Sequence, residues 1–247
     1  MNPSHPKNIE IKVTVDGRLV AEAIDAFDLD PAAAQARSIW FCESAAGLHH
    51  QRLDLLDRGI ILRMRAGAFD SSDATVKLRG SQPPQLSSTW QDKFEVEGDW
   101  SGEQKMISAS LTAKIKAGVI ESAVAEGGCL QDVFAGLQTR YLSEECEPPV
   151  APAELRALGP IAALKWKAFS VDGLSSDVRA EQWAVDDLLF LEFSLRVKFR
   201  DAKDAQQELR QVIADHGIKI GNQQAPKTSL VLRHLAETSG DTVAGAR

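Results

Sequence analysis

Between Ile9 and Val15 the chain alternates Ile-Glu-Ile-Lys-Val-Thr-Val. This two-residue period predicts a strand with its apolar side chains on one face and Glu10, Lys12 and Thr14 on the other. Asp16-Gly17 marks a turn, Asp30-Pro31 opens an Ala-rich stretch that predicts a short helix to about Arg37, and a strand is expected over 38–42. A polar loop is expected over 45–50. Gly59 then precedes Ile-Ile-Leu-Arg-Met-Arg-Ala, a predicted strand over 60–66 with Arg63 and Arg65 on one side and Leu62 and Met64 on the other. Thr75, Lys77 and Arg79 share a face of a strand over 75–79, and the residues at 70–73 suit a hairpin turn between the two. Glu95 and Glu97 share a side of one further strand over 94–97.

From Gly102 to about Tyr141 the spacing becomes helix-like, and the Pro-rich block 144–152 reads as a linker between two strand-rich halves, about 8–100 and 158–200, with a helical insert at about 102–145. The second half predicts three strands, over 163–171, 178–185 and 188–199, joined by short turns into an antiparallel meander. An amphipathic helix over 201–216 closed by Gly217 follows, then a last helix over 228–236 after Pro226. The organisation expected is one domain over 1–237 and a flexible polar tail over 238–247.

Composition narrows the function classes. A chain of 247 residues with 44% apolar content can bury a large core. A net charge of −7 argues against a general affinity for nucleic acid or anionic membrane, because such binding needs surplus Lys and Arg on an exposed face. No apolar run has the length of a membrane span and no leader pattern opens the chain, so a cytoplasmic protein is expected. Cys42, Cys129 and Cys146 are odd in number and far apart, which argues against structural disulfides and zinc.

Charged residues at alternate strand positions are usually the solvent side of a sheet, and that is the simpler reading for Glu95 and Glu97, or for Lys165 and Lys167, taken alone. Here, however, sign is sorted by strand: Arg63 with Arg65, Lys77 with Arg79, and Lys165 with Lys167. A sheet curled on itself would turn such faces inward, where unpaired charge costs several kcal/mol per ion, so a polyanionic ligand is implied. Arg gives forked contacts to phosphate oxygens and Lys gives a point charge. Glu192 lies in the apolar run Leu-Glu-Phe-Ser-Leu, an expensive place for a lone carboxylate. It could join Glu10 on a divalent cation or form a salt bridge with Arg196 or Lys165. Phosphate-binding Gly loops and a Gly-x-Ser-x-Gly elbow are absent, His49-His50 read as loop surface, and Trp40, Trp166 and Trp183 read as core.

With these residues in view, the chain resembles the CYTH superfamily, the triphosphate tunnel metalloenzymes that include class IV adenylate cyclases, thiamine triphosphatases and inorganic triphosphatases. The family's Glu-x-Glu-x-Lys strand looks like Asn8-Ile9-Glu10-Ile11-Lys12, its Arg-x-Arg strand like Arg63-Met64-Arg65, and its Thr-x-Lys strand like Thr75-Val76-Lys77. Its Leu-Glu-x-Glu strand looks like Leu191-Glu192-Phe193-Ser194, and its C-terminal Lys-Ser like Lys227-Thr228. The resemblance covers roughly Asn8 to Leu235 apart from the helical middle. It implies an α+β fold, a closed or nearly closed antiparallel β-barrel tunnel with flanking helices. It further implies a triphosphate or polyphosphate bound by Lys12, Arg63, Arg65, Lys77 and Lys165, with Arg79 and Lys167 on the same basic faces. Glu10 and Glu192 would be ligands for Mg2+ or Mn2+, and Glu10 and Lys12 the catalytic pair. Asn8 and Ser194 stand where the family has carboxylates, which implies a weaker metal site. The activity implied is hydrolysis of inorganic triphosphate or an organic triphosphate. A polyphosphate- or nucleotide-binding module without turnover is the alternative, and an adenylate cyclase comes third.

Overall fold

The computed structural model describes residues 6–67, 72–125, 130–220 and 226–244. The elements run β1 (Asn8–Asp16), α1 (Leu19–Ala26), β2 (Gln35–Ser44), α2 (Ala45–His49), α3 (Asp54–Asp57), β3 (Ile60–Gly67), β4 (Asp73–Gly80), β5 (Glu95–Ser101) and β6 (Gln104–Lys114). They continue with α4 (Val119–Ala125), α5 (Leu137–Glu144), β7 (Leu155–Lys165), β8 (Arg179–Val185), β9 (Leu188–Lys198), α6 (Ala202–Asp215) and α7 (Lys227–Ala244). The strands close into a barrel in the order β1-β5-β6-β4-β3-β2-β7-β8-β9. The α+β barrel implied by the sequence is therefore present, but the sheet is mixed, because β1 and β5 pair in parallel. Parallel neighbours need a long connection, and most of the first hundred residues lie between these two strands.

The chain divides into two compact units. The first comprises the residues up to Ala36, Gly80–Ala109 and Ala162–Lys227. Its core follows from the alternation on β1: Ile9, Ile11, Val13 and Val15 are buried together with Leu191, Phe193 and Leu195 of β9, the antiparallel neighbour. Helix α6 places Ala202, Ala205, Leu209, Val212 and Ile213 on one stripe at helical spacing, and all five are buried. Each large apolar side chain buried in this way contributes about 1.5–3 kcal/mol. The helix ends at Gly217, whose φ of +82° suits the left-handed cap, and Ile218 N–H turns back to Ile213 O at 3.2 Å. With the apolar face of β1 covered in this manner, closure turns Glu10, Lys12 and Thr14 inward.

The second unit comprises Arg37–Arg79, Ser110–Ile161 and the residues from Thr228 on. On β3, Leu62, Met64 and Ala66 are buried while Arg63 and Arg65 occupy the opposite, half-buried face. Helix α3 is only one turn, and a distant side chain holds its start: Glu43, 1% exposed, accepts hydrogen bonds from Leu55 N–H (3.0 Å), Leu56 N–H (2.8 Å) and Ser44 N–H (3.2 Å). Gln138 of α5 donates to Ala74 O (2.8 Å) and Leu111 O (2.9 Å), tying that helix to two strands.

Several expected elements differ. Residues 31–37 form one 3-10 turn, Pro31–Ala33, and then enter β2, while the helix in that region is α1. The loop at 45–50 contains α2, capped by the Ser44 hydroxyl on Gly47 N–H at 3.2 Å. The stretch after Gly102 is an 11-residue strand, β6, reached by a tight turn at Gly102-Glu103, so the helical middle begins only at α4. Strand β7 lies eight residues earlier than the expected start at 163, and α7 runs on to Ala244. Cys42 and Cys146 are free and buried, and Cys129 lies outside the described residues, as do Asp70 and Ser71 of the expected hairpin turn.

Candidate functional site

The inward face of β1 meets carboxylates from its parallel neighbour. Register places Glu10 beside Asp99 of β5 and Arg196 of β9, Lys12 beside Ser101 and Ser194, and Thr14 beside Glu192. Lys12 Nζ lies 2.7 Å from Glu10 Oε2 and 2.8 Å from Asp99 Oδ1, and Arg196 pairs with Glu97 at 2.9 Å and also with Glu95. Burial works to lower the pKa of Lys12, but Glu10, Asp99 and Glu192 outweigh it and hold the ammonium well above its ordinary value. Glu10, Glu97 and Asp99 each offer an oxygen within 4.8 Å of the others, and Asp99 is buried.

This donor set is all oxygen, which suits a hard divalent cation such as Mg2+ or Mn2+ that keeps waters or phosphate oxygens in its remaining positions. The residues present therefore fit the metal implied by the sequence. Glu10 belongs to the cluster, whereas the other expected ligand, Glu192, ion-pairs with Lys227 at 3.5 Å.

Lys227, the first residue of α7, is the second notable cation of this unit. Its side chain is 4% exposed, and its ammonium sits 3.9 Å from the centroid of the Trp183 ring. The nearest carboxylate oxygens, on Glu192 and Glu181, stand at 3.5 and 3.9 Å, and among the described residues the ammonium donates no hydrogen bond. Glu181 faces Glu192 across β8 and β9 and Lys165 across β7 and β8. Lys165 is half-buried at the end of β7, while Lys167 lies past that end, exposed and off the sheet.

In the second unit, Arg63 pairs in register with Thr75 and Arg65 with Asp73, while Lys77 lies opposite Ile61. Arg63, Arg65, Lys77 and Arg79 are all half-buried on the face opposite Met64 and Val76. Arg65 makes a forked contact with Asp73, Nε to Oδ1 at 3.0 Å and Nη2 to Oδ2 at 2.8 Å, and Asp73 is 3% exposed. Thr75 shares a 3.0 Å hydrogen bond with Thr112 of β6.

Sequence reasoning read Glu97 as part of a solvent face and passed over Asp99, Asp73 and Glu181 as partners for the site. The signal for the first two was present: Asp99 extends the alternation Glu95, Glu97 by one step, but Gly98 reads as the end of a strand, and a charged alternating strand reads as a solvent face. Gly98 is buried inside β5, where a Cβ would collide with Ile9 Cδ1, a close approach visible only once β1 and β5 are known to be neighbours.

The sequence matches no family profile and no curated protein. Solved structures share its fold. A candidate adenylate cyclase from Bacillus halodurans superposes with a TM-score of 0.55 over 91% of this chain and 96% of that chain, at 10% identity. A candidate adenylyl cyclase from Hippeastrum, described as having a dominant triphosphatase activity, superposes with a TM-score of 0.59 over 91% of this chain and 95% of that chain, at 16% identity. The tunnel-barrel fold implied by the resemblance to the CYTH superfamily is thus the fold of this chain.

Proposed function

We propose that the chain is a metal-dependent triphosphatase, acting on inorganic triphosphate or a compact organic triphosphate. The observation that carries this reading is the grouping of Glu10, Glu97 and Asp99 on an inward barrel face, with Lys12 on Glu10 and Asp99. Two carboxylates that the family motif leads one to expect are Asn8 and Ser194 here, and Glu97 and Asp99 supply oxygen donors in their stead. The Hippeastrum protein of the same fold, with its triphosphatase activity, is consistent with it.

In this reading Glu10, Glu97 and Asp99 hold the divalent ion, which supplies charge neutralisation on the phosphate oxygens and Lewis acidity toward water. Lys12, Lys165 and Lys227 bind phosphate oxygens with point charges, and Arg63, Arg65, Lys77 and Arg79 are assigned the same role. Hydrolysis breaks the bridging bond to the terminal phosphorus while a water oxygen bonds to it; diphosphate, or the organic diphosphate, leaves, one water proton staying on the new phosphate and the other passing to the leaving group. Negative charge spreads over the equatorial oxygens in that step, so fixed cations stabilise it. Lys167, exposed and beyond the strand, is left out of the set.

The test is release of phosphate from inorganic triphosphate with Mg2+ or Mn2+, compared with Asp99→Asn and Lys77→Ala. Activity abolished in both variants supports the reading, and a wild-type protein that releases no phosphate overturns it. A second reading, a triphosphate-binding module, is favoured by one feature: Lys12 and Arg196 already contact all three carboxylates. It predicts thermal stabilisation by triphosphate with no turnover.

A further inference from the structure

The half-buried Lys12 and the buried Lys227 of the first unit are held in opposite ways. Lys12 is drawn onto its carboxylates at 2.7 and 2.8 Å, within charge-assisted hydrogen-bond range. Lys227 stands off from its carboxylates at 3.5 and 3.9 Å and lies against an aromatic face, 3.9 Å from the Trp183 ring centroid. An ammonium 4% exposed and donating no hydrogen bond among the described residues has given up its water without replacing it. A cation over an indole is attracted by the ring quadrupole, an attraction that strengthens as water is excluded and that uses none of the N–H donors in a directed bond.

We propose that Trp183 is a positioning residue for Lys227: its ring face holds the ammonium back from Glu181 and Glu192, so that the N–H donors stay available to an incoming phosphate oxygen. The proposal rests on the triphosphate-binding reading of the preceding subsection and adds a residue to it. Trp183 is fixed in place because it sits inside β8, 3% exposed, in register with Phe190 of β9 and Ala163 of β7. Without the ring, Lys227 relaxes onto Glu192, and an anion then has to break that ion pair before it can bind. The same contact covers one face of the ring and the rest of Trp183 is buried, so it offers no stacking surface to a nucleobase while Lys227 is in place. This favours a substrate whose recognition lies in its phosphates.

The experiment is calorimetric titration of inorganic triphosphate into wild type, Trp183→Leu, Trp183→Phe, Lys227→Ala and the Trp183→Leu/Lys227→Ala pair, with Mn2+ binding measured separately on each. Trp183→Leu is expected to weaken triphosphate binding about tenfold, and Trp183→Phe, which keeps a smaller ring, about threefold. In the Lys227→Ala background Trp183→Leu should add nothing further, and Mn2+ affinity should be unchanged throughout. If Trp183→Leu does not fold, Trp183→Phe and the Lys227→Ala background carry the same comparison. Wild-type affinity in the Trp183 variants, or an equal loss in the Lys227→Ala background, would overturn the positioning role and leave the triphosphate reading standing. A wild-type protein that binds no triphosphate would remove that reading and this inference together.

Discussion

Lys12 Nζ and Asp99 Oδ1 lie 2.8 Å apart, an ion pair between residues 87 positions apart in sequence, brought together by the parallel pairing of β1 and β5. Asp99 is 1% exposed, and Lys12 balances its charge at close range. Lys12→Ala is expected to destabilise the protein by about 3–5 kcal/mol, since it removes the cation 2.8 Å from a buried carboxylate. Lys12→Ala/Asp99→Ala should cost clearly less than the sum of the single changes, because the double variant removes the buried carboxylate together with its cation and leaves only the more exposed Glu10 without Lys12. Urea denaturation of the four proteins measures the coupling, and simple additivity would show that the pair does not interact energetically.

How far the sequence disclosed this site depends on which strand is considered. Alternation alone identified β1, β3 and β4 and the faces of Lys12, Arg63, Arg65 and Lys77, because one side of each strand is continuously apolar. The antiparallel order of β7, β8 and β9 was legible from their alternation and the tight β8–β9 turn, although β7 both begins and ends earlier than its expected range and residues 166–178 separate it from β8. β6 was not legible. Its Ser- and Ala-rich run has weak strand propensity, and Ser108 and Ala109 are both buried, so pairing on either side rather than pattern makes it a strand. The carboxylate partners of Lys12 were missed for a related reason: which strand lies beside β1 is a property of barrel closure, and a parallel neighbour from a distant segment leaves no local mark.

The chain has a single tyrosine, which makes its ionisation directly observable. Tyr141 of α5 is 5% exposed, and burial, reinforced by Cys146 and Glu145, pushes its pKa from 10.0 up to about 12. A group whose neutral form is favoured by folding adds stability that is fully present below its unfolded pKa and is lost as pH rises through the folded one. Phenolate absorbance should therefore show a midpoint near 12 in the native protein and near 10 in urea, with stability falling across that interval. A native midpoint at 10 would mean that the phenol is in contact with water.

Glu43 is a buried carboxylate with a structural task, because it accepts the N–H groups of Leu55 and Leu56 at the start of α3. Glu43→Ala leaves those donors without their acceptor and should cost about 2–4 kcal/mol, whereas Glu43→Gln, which keeps one acceptor oxygen, should cost about half as much. Denaturation midpoints of the two variants supply the comparison. Equal losses would indicate that the charge, not the acceptor geometry, matters.

Gly59 and Gly217 both have left-handed backbones, with φ of +72° and +82°, yet they should respond differently to the same substitution. At Gly217 a Cβ would meet nothing within 4 Å, so Gly217→Ala incurs only the conformational strain of about 1–2 kcal/mol. At Gly59 the Cβ would lie 2.5 Å from the backbone oxygen of Arg79, which cannot swing aside as a side chain could. Arg79 N–H also donates to Gly59 O at 2.8 Å, so relieving the clash means opening the β3–β4 ladder at the position that carries the Arg79 side chain. Such overpacking adds about 1–3 kcal/mol. Gly59→Ala should thus melt well below Gly217→Ala in parallel thermal scans and, through the displaced Arg79, should also weaken triphosphate binding, which Gly217→Ala should leave intact. Identical melting points for the two variants would show that β4 yields to the extra methyl and that the close approach of Gly59 to Arg79 does not fix the position of this basic face.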